Sequence, residues 1–202
     1  DTQCPWEIAK VACERKGVIL APALPFGPSS FSLDYPGTIN IKARTYMDII
    51  QDILDSLVRS GFKRILFFSG HGGNTLARNV IKEYVIDRSD LTLIFREWYQ
   101  MPRTSKRIHE LGSTDYDHGS WLESFPWINQ PLPIKEQFKE QTHVEDNYAL
   151  SAAETRIDYG DGVGGGDYTK PEPIMREYFE IAVQDLEEYL ENGFNKMDRV
   201  PN

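Results

Sequence analysis

Two short stretches of this chain carry residue types from which a catalytic centre can be built. The first is Ser69-Gly70-His71-Gly72-Gly73-Asn74. It follows an apolar run and precedes a helical pattern, which puts the histidine at the carboxyl edge of a sheet, where open parallel sheets gather their ligands. Glycines there let the backbone approach a partner closely and take unusual dihedrals. An imidazole held in such a turn reaches a metal or a substrate; the alternative is a Gly-rich turn with an incidental histidine. The second stretch is Asp117-His118-Gly119-Ser120-Trp121-Leu122-Glu123-Ser124. His118 titrates in the range that suits general acid or base work at neutral pH. The plainer reading is a solvated helix start with Asp117 near its N-cap.

Other candidates are weaker. Gly160-Asp161-Gly162-Val163-Gly164-Gly165 matches Gly-X-Gly-X-X-Gly, but no buried strand feeds it and Pro171 and Pro173 follow, so a dinucleotide site is not expected. His109 and His143 lie in polar sequence and read as surface residues. Ser29 and Ser30 lack the Gly-X-Ser-X-Gly elbow of serine hydrolases. Trp98, Trp121 and Trp127 suit either a pocket wall or a core.

The elements around these stretches alternate. Pro5 to Lys16 reads as a helix closed by Gly17. Val18 to Leu24 is a continuous apolar run, expected as a strand buried on both faces. Phe26 to Asn40 is a broken polar loop. Ala43 to Ser60 shows apolar residues at helical spacing. Lys63 to Phe68 and Leu91 to Phe95 read as strands on either side of a helix from Leu76 to Ile86. Pro173 to Leu190 is a final amphipathic helix, and the tail after Gly193 is expected to be loose. The order β-loop-α-β-α-β implies an α/β fold with a mostly parallel sheet flanked by helices, with right-handed crossovers. The stretch from Arg96 to Thr169 gives no regular pattern.

The whole chain has 202 residues, with 22 Lys plus Arg against 31 Asp plus Glu, a net charge of −9. That balance argues against nucleic acid or an anionic membrane held by bulk charge, and leaves room for a small-molecule substrate. No apolar run approaches the roughly 18 residues of a membrane span. The two cysteines, Cys4 and Cys13, have no metal spacing, so a reducing, cytoplasmic setting is expected. One domain over residues 1–202 is expected, and because the chain starts at Asp1 rather than Met, its native N-terminal segment is expected upstream.

Taken together and in order, four segments resemble the creatininase (creatinine amidohydrolase) family. Phe26-Gly27-Pro28-Ser29 with Tyr35-Pro36-Gly37-Thr38-Ile39 resembles its Gly-X-Ser…Pro-Gly-Thr segment. The turn around His71 resembles its Asn-Gly-His-Gly-Gly-Asn. His118 to Ser124 resembles its His-Ala-Gly-X-X-Glu-Thr-Ser, and Gly162 to Asp167 its Gly-Val-X-Gly-Asp. The resemblance implies a three-layer α/β fold and a hydrolase of small polar rings that uses two divalent ions, zinc or manganese. It implies that Asp1, His71 and Glu123 ligate metal and that His118 shuttles protons. It also implies a homo-oligomer, with a hexamer as one possibility.

One departure concerns the metal set, and two others shape the expected substrate. The family's upstream Glu-X-His does not fall within this chain, and Phe31-Ser32 stands where the family often has Glu-His. Asp117 replaces the glutamate before the shuttle histidine. The changes at Phe31-Ser32 and Asp117 favour a branch acting on keto-inositols in carbohydrate catabolism, such as a 3-dehydro-scyllo-inosose hydrolase, over creatinine itself. Substrate contacts are expected from Ser29, Ser32, Trp98, Trp121 and Asp117. A non-catalytic binding or structural subunit with an incomplete metal site is the alternative.

Overall fold

The structure is a computed structural model, and it describes residues 1–113, 118–128, 138–142 and 149–195. Asp117, His143 and the tail after 195 lie outside the described residues. The first helix, α1 (Gln3–Lys16), ends where Gly17 takes a left-handed φ of 63°. Val18 N–H then donates back to the Cys13 carbonyl at 2.9 Å, a glycine-closed helix end. Next come α2 (Ala43–Arg59), β1 (Arg64–Ser69), α3 (Ala77–Tyr84) and β2 (Thr92–Glu97). Beyond them lie α4 (Pro102–Glu110), β3 (Phe138–Lys139), α5 (Ala152–Tyr159), β4 (Gly166–Asp167) and α6 (Glu172–Asn192).

The sheet is built from β1 and β2, paired in parallel from Arg64 opposite Thr92 to Ser69 opposite Glu97. Side chains alternate across a strand, and β1 shows it. Leu66 and Phe68 pack on one core with α1, α4 and α6, while Ile65 and Phe67 pack on a second core with α2 and α3. Helices therefore cover both faces, giving the three α/β/α layers that the continuous apolar pattern of the strand implied. Each fully buried Ile or Leu in these layers, such as Ile8 or Leu54, contributes about 1.5–3 kcal/mol.

One expected strand is absent from the ladder. Val18 to Leu24 pairs with nothing among the described residues, and Ile19 is 76% exposed. An apolar run becomes a core strand only where a neighbouring strand accepts its hydrogen bonds, and Pro22 brings no N–H to offer. Conversely, the described part of the stretch that gave no pattern holds two α-helices. Pro102 starts α4, whose Thr104 N–H and hydroxyl both donate to the buried Asp185 carboxylate of α6, at 2.7 and 2.9 Å. A capping box at Ser151 and Glu154 starts α5. The helix packs on the short 3-10 turn Ser30–Ser32, which brings its inner face to the cavity described below. No helix among the described residues is long and apolar enough to cross a membrane, and no disulfide forms there.

Candidate active site

The turn that follows β1 is fixed from within by one hydroxyl. Ser69 Oγ donates to the His71 carbonyl at 3.1 Å and accepts from His71 N–H and Asn74 Nδ2, both at 3.1 Å. One donor and two acceptor sites are thereby filled. The glycines serve close approach: a Cβ on Gly70 would lie 2.0 Å from the Asp1 carbonyl oxygen, and one on Gly73 would lie 2.2 Å from the Pro28 carbonyl oxygen. Neither glycine has positive φ, so the expected unusual dihedrals are not what these positions require. The turn is pressed between the first residue and the loop at 28.

That packing sets the histidine. His71 Nε2 donates to the Pro28 carbonyl at 2.7 Å, with Ser29 Oγ at 3.4 Å. Its Nδ1 lies 3.2 Å from Asp1 Oδ2; the imidazole is 12% exposed and the carboxylate 47%. With the Nε2 proton committed to Pro28, a neutral ring turns a lone pair toward a carboxylate oxygen. Two acceptors facing each other at that distance are joined by a cation, either a second ring proton or a metal. Asp1 and His71 thus fit two positions of a divalent cation's shell.

The third expected ligand does not join them. Glu123 ends the 3-10 turn Trp121–Glu123, and its carbonyl accepts from Cys4 Sγ at 3.4 Å. It is not among the residues that line the Asp1–His71 cavity. Among the described residues no three His, Cys, Asp or Glu side chains are grouped to hold a metal ion. The segment from His118 onward is a bend, with Gly119 at a left-handed φ of 66°, rather than the expected helix start, so His118 and Glu123 are set by separate contacts.

The cavity, of about 450 Å³, is lined by Asp1, Ser29, Ser32, His71 and His118 together with aromatic residues. Phe31 stands between the two histidines, stacked on His71 at 6.2 Å between centroids and edge-on to His118 at 6.0 Å. Tyr159 of α5 meets His118 from another side at 6.0 Å. His118 Nδ1 donates to the Gly162 carbonyl at 3.1 Å. The residue keeps an exposed edge, yet crowding by these neighbours desolvates the ring and lowers its pKa below the ordinary 6.5. The Gly162 hydrogen bond partly offsets this, while charge on His71 adds to it. His118 is therefore a neutral imidazole at pH 7, with its proton on Nδ1.

Trp98 and Trp121 are not at this cavity. They are 0% and 1% exposed, packed on Tyr178 in the α1/α4/α6 core. Large flat side chains flanked by apolar helices are drawn inside, and no sequence spacing separated that outcome from a pocket wall. Residues that the sequence did not single out as contacts line the cavity instead: Phe31, Tyr35, Thr38, Thr155 and Tyr159. The Tyr35 hydroxyl is buried there with no hydrogen-bond partner among the described residues. Burial, partly offset by the nearby Arg156 cation, raises its pKa, so it stays a neutral donor. Glu97 was missed as well. At the carboxyl end of β2 it is 1% exposed, bonded to Arg78 at 2.7 Å and to the Tyr99 hydroxyl at 2.8 Å. A carboxylate that closes an apolar strand was the available signal.

Known proteins match this chain in sequence and in fold. The creatininase (creatinine amidohydrolase) family matches residues 1–190. A creatinine amidohydrolase of Pseudomonas putida is 28% identical over 98 residues, 46% of this chain and 35% of that relative. The matched stretch thus spans about a third of that protein's length. Among solved structures, a creatinine amidohydrolase (creatininase) superposes with a TM-score of 0.76 at 20% identity, covering 95% of this chain and 81% of the other. A manganese creatininase gives 0.73 at 18% identity over 95% and 82%. A zinc–zinc form of a creatininase variant gives 0.72 at 18% identity over 95% and 81%. At these identities the likeness to solved structures establishes the α/β creatininase fold, and the family match extends over nearly the whole chain. This chain belongs to the creatininase family.

Proposed function

We propose that the chain is a metal-dependent hydrolase that opens a small polar ring at a carbonyl, either a cyclic amide or a keto-inositol. The observation that supports it most is the facing pair of Asp1 Oδ2 and His71 Nδ1, 3.2 Å apart and walled into one cavity with His118. Asp1 and His71 would hold a divalent cation, zinc or manganese as in the related structures; Glu123, the carboxylate that the family pattern adds, lies outside their cavity and is not counted among its ligands. Such a cation supplies Lewis-acid polarisation of a carbonyl and makes water more acidic. Two ions are part of the same proposal.

The chain's own residues do the rest. His118, neutral and protonated on Nδ1, takes a proton at Nε2 from the attacking water and returns it to the departing atom. Phe31 and Tyr159 offer ring faces to a compact substrate and limit the water around it. Ser29 and Ser32 supply the polar contacts that orient it. Two serine hydroxyls beside aromatic walls suit a polyol ketone, which is why the 3-dehydro-scyllo-inosose hydrolase branch stays in the proposal. A homo-oligomer belongs to it too.

The test is turnover of creatinine and of 3-dehydro-scyllo-inosose by the purified protein, before and after chelation and with zinc or manganese restored. Ring opening of either compound that chelation removes and metal restores supports the reading. No metal retained and no turnover of either compound favours the second reading, a non-catalytic binding or structural subunit. One observation speaks for that second reading: no three-ligand group forms among the described residues.

A further inference from the structure

We infer that Lys139 is a positioning residue for His118, closing the 159–163 loop so that the Gly162 carbonyl holds the Nδ1 proton and leaves Nε2 as the basic nitrogen. The inference rests on the reading of His118 as the residue that moves protons. Its observation is separate: the Lys139 ammonium sits inside a ring of acceptors from one loop. It donates to the Tyr159 carbonyl at 2.7 Å, to Asp161 Oδ1 at 2.6 Å and to the Val163 carbonyl at 2.6 Å. The side chain is 18% exposed. An ammonium has three N–H groups, and all three are used.

The acceptors flank Gly162 on both sides in the chain. Asp161 is locked further by Val163 N–H on Oδ1 at 3.1 Å and by the Tyr168 hydroxyl on Oδ2 at 2.6 Å. Burial alone would raise the Asp161 pKa; the hydrogen bonds from Lys139, Tyr168 and Val163 outweigh it and bring the net shift down, so the carboxylate stays charged. Gly162 itself has φ +96°, a left-handed conformation that L side chains rarely adopt. The result is a carbonyl aimed at His118 from a backbone with little freedom. A second tie runs alongside: Gly164 N–H donates to the His118 carbonyl at 2.8 Å, and the Gly164 carbonyl accepts from Thr142 N–H at 2.8 Å.

Removing the ammonium reverses the balance. Two carbonyl dipoles and a carboxylate would converge with nothing positive between them, and part-buried acceptors without donors are costly. The loop relieves this by turning its carbonyls outward, and Gly162 lies in the middle of that turn. His118 then loses the partner that selects its tautomer. A solvated imidazole favours the proton on Nε2, which is the nitrogen that proton abstraction needs bare.

The test is the tautomer itself, read from imidazole nitrogen–proton correlation spectra of the full chain labelled with ¹⁵N-histidine, above the titration range. The His118 signals are identified by their loss in His118→Gln. Wild type is expected to show His118 with Nδ1 protonated and Nε2 bare. Lys139→Met is expected to shift it to a mixture dominated by the Nε2–H form, with the His71 signals unchanged. If Lys139→Met fails to fold, Lys139→Gln, which keeps one donor group, carries the same expectation. A wild-type His118 protonated on Nε2 overturns the inference, as does a folded Lys139 variant that keeps the pure Nδ1–H form. The readout needs no substrate. A correct tautomer shift in a protein that turns over nothing would therefore count against the hydrolase reading and leave the role of Lys139 standing.

Discussion

Aromatic rings gather at two places in this chain, and their surroundings differ. In the α1/α4/α6 core, Trp98, Trp121 and Phe125 close around Tyr178 with centroids 5.6, 5.5 and 5.7 Å away. No ring there reaches solvent in any useful degree. At the cavity, Phe31 is 39% exposed and sits on a three-residue 3-10 turn, between two imidazoles rather than two helices. The first group is held from all sides and can do little but fill space. The second is held from behind and leaves a face to whatever enters. Ring type and chain position look alike in the sequence; the number of covered sides separates a structural aromatic from a functional one.

The contrast is broken most forcefully at the histidine turn. His71→Ala is expected to abolish metal-dependent turnover; the imidazole is largely covered and holds the Pro28 carbonyl, so urea unfolding is expected to show a loss of about 1–3 kcal/mol as well, well short of complete unfolding. Metal content and turnover, measured on the same sample, check it. Retained wild-type activity would remove His71 from the site. Next is His118→Gln, for which a loss of roughly 10²- to 10⁴-fold in kcat is expected with metal content unchanged, the usual range for deleting a general acid–base. Loss of metal in this variant would move His118 among the ligands.

The pH profile sharpens the same assignment. A base must be unprotonated to act, and burial has lowered the His118 pKa below 6.5. Activity is therefore expected to be flat through pH 7 and to fall on the acid side with a midpoint below 6.5. A midpoint above that value would mean that the imidazole is not desolvated by Phe31 and Tyr159, and the cavity would lose its distinction from open surface.

On the core side, Trp98→Ala is expected to cost about 3 kcal/mol, at the low end of the range for removing a buried tryptophan. The indole Nε1 is buried with no hydrogen-bond partner among the described residues, so its removal also relieves an unmet polar group. Urea unfolding checks it, and the surviving folded fraction should keep its turnover per molecule. A folded Trp98→Ala that loses activity first would return this ring to the site.

How much of this could be read beforehand depends on how local the cause is. The strands β1 and β2, the helices α1 and α2 and the turn at His71 each follow from their own residues: runs of Ile, Leu and Phe, a closing Gly17, three glycines around one histidine. Val18 to Leu24 had the same apolar content as β1 but lacks the partner strand, which is a property of neighbours and not of the run. Lys139 carried no local signal of its role, because its partners come from residues 159–163; Glu97 offered only its place at the end of an apolar strand, its partners being Arg78 and Tyr99. Phe31 and Tyr35 fell inside a recognised motif but were passed over as contacts, since loop geometry decides which side of a ring is left bare.

The smallest expected effect is also the most discriminating. Phe31→Leu keeps an apolar side chain of similar reach, and the ring it replaces is already partly in solvent, so stability should change by less than about 1 kcal/mol. The stacked contact with His71 and the edge contact with His118 are lost together, and a branched aliphatic chain cannot present a flat face to a ring-shaped substrate. KM should therefore rise several-fold with kcat affected less, because the proton-transfer nitrogen and the Asp1–His71 pair stay where they are. If Phe31→Leu instead destabilises the protein as much as Trp98→Ala, the ring is core that happens to show an edge, and the two aromatic groups are of one kind after all.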